Sequence, residues 1–474
     1  MNYLARLRIV IQVLVPLIIV TLLGVSSGWR MIDRQLYRAR KAIEANDSQQ
    51  ASLALARAAQ YAPWRKDLWE QAGIYALQDG QHQTAKSYFL QVDNPGDLST
   101  AGLTALGDIA QFEGDLKYAI QLWEEALTAG NGDIELHTRL AEAYQQFWDL
   151  DKAIPHLTEL VELKPTDSAS IYQLGLMLAA TQPESSLAYL RLAAELDPEL
   201  SSKTKALIRN IRFARNIDDP SYSLVSAGQS LASIEEWELA EIALSKATQL
   251  NPEYADAWAY LGEALQHTDQ NGLEELEKAL SIDLNSVAAN TLMGLYWQRQ
   301  ERYDLALIYL QAAAKLDDLN PALQAEIGNT IGLQGNISAA ESHYRRAAAL
   351  APNDSTYWRI LASYYIKYEI KLRQEGLAAA RQALIQDPED PASLDTIAQI
   401  YLLLDIPFIA QRFLERAIAA DDNFAPAYLH LGLIHLLEGD TSQAFQQFSI
   451  AKTLSPPGSQ TAEQATRFLE TYFP

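Results

Sequence analysis

The sequence predicts an all-α protein, a solenoid of tandem helical hairpins. Three observations carry that prediction. Self-similarity with a period of about 34 residues runs from near Arg30 to the C-terminus of the 474-residue chain. Each period holds two stretches whose apolar residues fall three and four apart, which places them on one helix face. Small residues recur at fixed places within the period, and a Pro often closes it. The length agrees, because a single globular core stops growing near ~250–300 residues.

The clearest unit has Leu224, Ala227, Gly228 and Leu231, then Ala240, Leu244 and Ala247, then Pro252. Others align with it: Trp69, Ala72, Gly73, Ala85 and Phe89; Leu106, Gly107, Ala110, Ala119, Trp123 and Ala126; Leu140, Ala141, Tyr144, Ala153, Leu157 and Pro165. The series continues through Trp258, Leu261 and Gly262; Gly294 and Leu310; Gly328, Tyr344 and Pro352; Trp358, Leu361 and Ala362; Ala398 and Leu414; and Gly432, Phe448 and Pro456. The recurring Gly or Ala marks where two helices approach closely. A Gly inside a helix costs about 1 kcal/mol relative to Ala, so its repeated use implies a packing need. The later Ala positions let the second helix nest against its neighbours, and Pro ends it.

These residues resemble the tetratricopeptide repeat family, with its W/L-x-x-L-G-x-x-Y first helix, A-x-x-x-F-x-x-A second helix and terminal Pro. The resemblance covers roughly residues 30–458 in about twelve units. It implies a right-handed superhelical solenoid in which first helices line a concave groove. By repeat position the groove residues are then Asp67, Glu70, Thr104, Asp108, Glu135, Thr138, Glu142, Gln229, Asp256, Glu263, Asn329, Arg359 and Gln399. Leu429, Leu433, Leu436 and Leu437 make the last such face apolar. Some members of the family clamp a C-terminal carboxylate between Lys/Arg and Asn. Here Asn329 occupies an Asn-like position, but its clamp partner is Ala325, so no clamp is expected.

Departures from the period divide the chain. Residues 30–198 read as five units and 220–458 as seven. Between them, 199–219 read as a basic helical insert carrying Lys203, Lys205, Arg209, Arg212 and Arg215. The unit near Trp258 is short around Thr268–Gly272, and the unit near Trp358 has a longer link from Lys367 to Glu375. Residues 459–474 read as a capping helix, which such stacks need over their last apolar face.

Residues 1–29 read as a membrane anchor or signal-anchor. Ile9–Val25 is almost wholly apolar, and counting to Gly28 gives about 20 residues, a span of roughly 30 Å. Tyr3 and Trp29 flank it as interfacial rings. The expected localisation is single-pass membrane through residues 9–28, with the repeats extracytoplasmic. The Lys/Arg count flanking the span points the other way.

The net charge is −23. Residues 1–41 hold seven Lys/Arg and one acid, which leaves 30 basic and 59 acidic residues in the remainder. So acidic a body repels phosphate backbones, which excludes nucleic acid as a partner. The absence of cysteine excludes disulfides, thiolate metal sites and Cys nucleophiles. The seven histidines fall outside metal-binding motifs, and no phosphate-loop or nucleophile-elbow pattern occurs. No cofactor, metal or small-molecule substrate is expected, and no enzymatic activity. The expected function is a membrane-tethered scaffold that binds protein segments or helices, with self-association open, in an envelope-assembly, secretion or polysaccharide system. The alternative is an accessory subunit of a membrane glycosyltransferase or polysaccharide polymerase.

Overall fold

The computed structural model describes residues 29–92, 94–130 and 133–473. All regular structure among them is helical, and it falls into two compact units, 1–217 and 218–474. In the first, antiparallel helices pair as α1 (29–44) with α2 (Ser48–Tyr61), then α3 (Lys66–Gln78) with α4 (His82–Phe89). They continue as α5 (Thr100–Phe112) with α6 (Leu116–Ala129), α7 (Ile134–Gln146) with α8 (Leu150–Leu163), and α9 (Ser168–Thr181) with α10 (Pro183–Leu196). A single longer helix, α11 (Pro198–Arg215), packs on α10.

The second unit pairs α12 (Pro220–Ala232) with α13 (Trp237–Leu250), α14 (Ala255–His267) with α15 (Leu273–Ile282), and α16 (Val287–Arg299) with α17 (Tyr303–Leu316). Then come α18 (Pro321–Leu333) with α19 (Ile337–Leu350), α20 (Ser355–Lys367) with α21 (Leu377–Gln386), and α22 (Pro391–Leu403) with α23 (Pro407–Ala420). The last pair is α24 (Ala425–Glu438) with α25 (Thr441–Leu454), followed by α26 (Gln460–Tyr472).

The recurring glycines lie at the hairpin crossings. A Cβ on Gly73 would sit 2.8 Å from the Phe89 ring, one on Gly228 2.7 Å from Leu244 Cγ, and one on Gly432 2.7 Å from Phe448. In each case the facing residue holds the same position in the second helix. The short α14–α15 hairpin is tighter: a Cβ on Gly262 would lie 2.7 Å from the backbone carbonyl of Gly272. The fully buried Ala119, Ala153, Ala240, Ala306 and Ala410 provide the matching small sites on second helices.

Local chemistry sets the ends. Asp115, Asp133, Asp149, Ser286 and Asp390 cap their helices by accepting from backbone N–H groups in the first turn. The hairpin turns place one residue in the left-handed region: Gly80, Gly114, Gly335 and Gly439, and at the equivalent place Asn46, Trp148, Glu235, Asp269, Glu301, Glu369 and Asp405. Pro198 does not simply end a repeat. It opens α11 at the first helical position, where its missing N–H costs nothing.

The longer link after α20 is a π-helical turn, Leu372–Gly376, entered through Lys371 with φ 49°. The buried Glu341 of α19 holds it. Its carboxylate accepts from Lys371 Nζ at 2.8 Å, Tyr365 Oη at 2.8 Å and Arg345 Nε at 3.0 Å. Burial pushes the Glu341 carboxyl up, but the donors outweigh it and hold the group below the usual carboxylate range.

The single-pass membrane localisation must be corrected. No helix among the described residues is long and apolar enough to cross a membrane, and residues 9–28 lie outside the described residues.

Candidate functional site

The groove positions read from the sequence do lie on first helices, but several are spent inside the protein. They join one first helix to the next. Glu70 of α3 accepts from the backbone N–H of Ser99 at 3.2 Å and from its hydroxyl, at the N-cap of α5. Asp108 of α5 takes a bidentate pair from Arg139 of α7, at 2.7 and 3.0 Å. Burial opposes the Arg139 charge, yet Asp108 and Glu135 hold its pKa above the ordinary value.

The second unit repeats this pattern. Asp256 of α14 accepts from the Ser286 hydroxyl at the N-cap of α16, at 2.7 Å. Glu263 takes Arg299 of α16, with one contact at 3.1 Å. Arg359 of α20 lies 3.8 Å from Asp390, the N-cap of α22. Gln298 of α16 donates to Thr330 of α18 at 2.8 Å. These partners lie roughly one repeat apart in sequence, so the bonds run along the stack and fix neighbouring first helices in register.

Other positions stay open. Glu142 of α7 is exposed and Asn329 of α18 half-buried, and neither has a side-chain partner among the described residues. Gln229 of α12 is exposed and reaches only the Tyr260 hydroxyl. Gln399 of α22 donates to Asp395 at 2.8 Å, leaving its carbonyl oxygen to accept. Asp67 is exposed and paired with Arg65, which holds its carboxyl below the usual range. Glu135 is exposed and meets Arg139 at 3.0 Å. Thr104 and Thr138 bond back to their own helices. Arg65 and Arg139 offset only part of the charge of Asp67, Asp108 and Glu135, and no cation meets Glu70 or Glu142 among the described residues, so the first unit's face keeps a net negative charge.

The apolar end of the series is covered. Leu429 is 2% exposed, and it clusters with Leu433 and Leu436 against Phe448, Ala465, Phe468 and Leu469. Those Leu residues form the seat of α26 instead of an open groove, and Leu437 alone stays exposed.

Sequence spacing missed a buried pair. His430 of α24 meets Asp395 of α22 at 2.6 Å, 35 residues away. Burial opposes the imidazolium, but Asp395 raises its pKa above the usual value. In the first unit, His137 and His156 bring their Nδ1 atoms to 3.1 Å. Burial and then His137 push the His156 pKa down. No group of three metal-capable side chains gathers among the described residues.

No protein-family model matches the chain. One curated relative, anaphase-promoting complex subunit 3 of Schizosaccharomyces pombe, is 24% identical over 185 residues, which cover 39% of this chain and 27% of that protein. The chain thus aligns with little more than a quarter of that relative's length. Among solved structures, it is similar to the anaphase-promoting complex hetero-tetramer Cut9-Hcn1 at 14% identity, over 92% of this chain and 96% of that one, with TM-score 0.38. Yeast Tom70 is similar at 16% identity over 78% and 95%, with TM-score 0.34. YrrB, described as a TPR protein with an unusual peptide-binding site, is similar at 21% identity over 39% and 95%, with TM-score 0.30.

Proposed function

We propose that this chain is a protein-interaction scaffold without catalytic activity of its own, and that the first-helix faces of its hairpins receive extended segments of partner proteins. The observation that carries this reading is the set of polar groups left over once the internal bridges are satisfied. Glu142, Gln229, Asn329 and Gln399 stand on first helices and keep unspent donors or acceptors. Amides offer both a donor and an acceptor, which matches the N–H and C=O of an extended backbone. The bridges around them, such as Asp108–Arg139 and Glu263–Arg299, keep their helices in place and so lower the ordering cost of binding.

Selection of extended peptides from a random library on the full chain tests this. Selected peptides are expected to bind saturably. Glu142→Ala should weaken those held by the first unit, and Asn329→Ala those held by the second, each by roughly fivefold, the loss of one hydrogen bond. Selected peptides that are indifferent to all four positions would refute the assignment of the face.

A further inference from the structure

We infer that the α10–α11 face is a second binding surface, distinct from the first helices, and that it takes an acidic segment of a partner protein. α11 carries Lys203, Lys205, Arg209, Arg212 and Arg215 against a single acid, Glu199, in a chain of net charge −23. Its other side is apolar or small and buried: Thr204, Leu207, Ile211 and Ala214 pack inward. The helix is therefore held by one face and displays the other.

On that display side, Arg191 of α10 joins Lys205, Arg209, Arg212, Phe213 and Arg215 of α11 around a groove of about 810 Å3. A volume of that order holds a short peptide segment. Most of the cations are not spent internally. Arg215 makes one long, exposed ion pair with Glu184 at 4.0 Å, and Arg209 reaches only the neutral Asn210 at 3.4 Å. Among the described residues Lys205 and Arg212 pair with no acid. Lys205 and Arg209 are four apart on the helix, and Arg209, Arg212 and Arg215 three apart, so the like charges repel. In a protein with so many surplus carboxylates, that repulsion persists only where no internal acid has been placed to relieve it.

Packing does not require this charge. α26 has the same place at the end of its unit and carries Glu463, Arg467 and Glu470 instead. The basic face is therefore a property of α11 and not of end helices in general. Charge complementarity points to a ligand rich in carboxylates, and the 64% exposed Phe213 beside the cations offers an apolar anchor. The acidity of the rest of the chain opposes nucleic acid.

Fluorescence anisotropy on the full chain tests the inference. The probe is a labelled peptide of alternating Glu and Asp with one central Leu, at about 50 mM salt. Saturable binding is expected, and binding should fall steeply as salt rises. The triple variant Lys205→Glu, Arg209→Glu, Arg212→Glu should lose affinity by at least roughly tenfold, and the milder Arg209→Gln, Arg212→Gln by a smaller factor. Both should keep the wild-type circular dichroism and unfolding midpoint, because the altered side chains are exposed. Glu142→Ala and Asn329→Ala should leave this binding unchanged, which separates it from the first-helix reading. Failure to bind the peptide overturns the inference, as does equal binding by the triple variant. It is also overturned if phosphatidylserine vesicles or duplex DNA bind through these residues while the peptide does not.

Discussion

α11 and α26 each follow the last hairpin of a unit, and each lays one narrow face on it. The α11 face is tightly buried through Leu207, Ile211 and Ala214. The α26 face is looser: Ala465 is buried, while Phe468, Leu469 and Phe473 are half-buried against Phe448 and Leu429. The outer faces differ more. α11 is strongly basic, and α26 carries mixed charge. Covering a hairpin thus constrains only the inward residues of a helix. The outward residues of α11 are free to be used for something else.

The largest effect that tests this contrast is on the inward faces. Ile211→Ala should destabilise the first unit by about 3 kcal/mol, from lost burial plus a cavity. Phe468→Ala should cost the second unit about 2 kcal/mol, less than a fully buried Phe because the ring is partly exposed. Protection from hydrogen exchange, read separately for each unit, measures both. Equal losses would remove the difference in tightness between the two helices. On the outer faces, Arg212→Glu and Glu470→Lys should each move stability by no more than about 0.5 kcal/mol.

Next in size is Glu341, which has no counterpart among the described residues of the first unit. Glu341→Ala strands the buried Tyr365 hydroxyl and removes the ion pair of the half-exposed Lys371, and should destabilise the second unit by about 2 kcal/mol. Urea unfolding read from the tyrosine cluster around Tyr364 and Tyr365 reports it.

The units should also respond oppositely to pH through two histidines. His430 has a folded pKa above its unfolded value of about 6.5. Its contribution is complete below that value and is lost as pH rises through the folded pKa. His156 has a folded pKa below its unfolded value. Its contribution is present above about pH 6.5 and is lost as pH falls through the folded pKa. His430→Gln should therefore flatten the alkaline side of the second unit's profile, and His156→Gln the acid side of the first unit's. A profile that keeps its shape in both variants contradicts the pairings. A small, stabilising effect is expected at a turn. Glu301→Gly relieves a left-handed φ of 58° and should stabilise the second unit by about 0.5–1 kcal/mol, seen as a raised unfolding midpoint.

Much of the fold was legible because hairpin contacts are local. Gly73 faces Phe89 and Gly228 faces Leu244 within one repeat, so periodicity alone pairs them. The turn glycines Gly80, Gly114, Gly335 and Gly439 keep the same register, whereas Trp148 and Glu301 adopt the same turn conformation without a glycine to announce it. The site was less legible. Repeat position puts Asp108, Asp256 and Glu263 on first helices, but it cannot show that Arg139, Ser286 and Arg299 consume them from the next repeat. Nor does it show that Leu429 and Leu433 are covered by α26, since that depends on how a later helix folds back. The basic charge of α11 was plain in the sequence. That Lys205, Arg209 and Arg212 meet no acid, and Arg215 only the distant Glu184, became visible only with the side chains in place.

Hydrogen–deuterium exchange of the full chain with a selected extended peptide tests the scaffold assignment most directly. New protection is expected on first helices, centred on α7 around Glu142 or on α18 and α22 around Asn329 and Gln399, with second helices unaffected. Protection confined to second helices, or a footprint elsewhere that survives Glu142→Ala and Asn329→Ala, would contradict it.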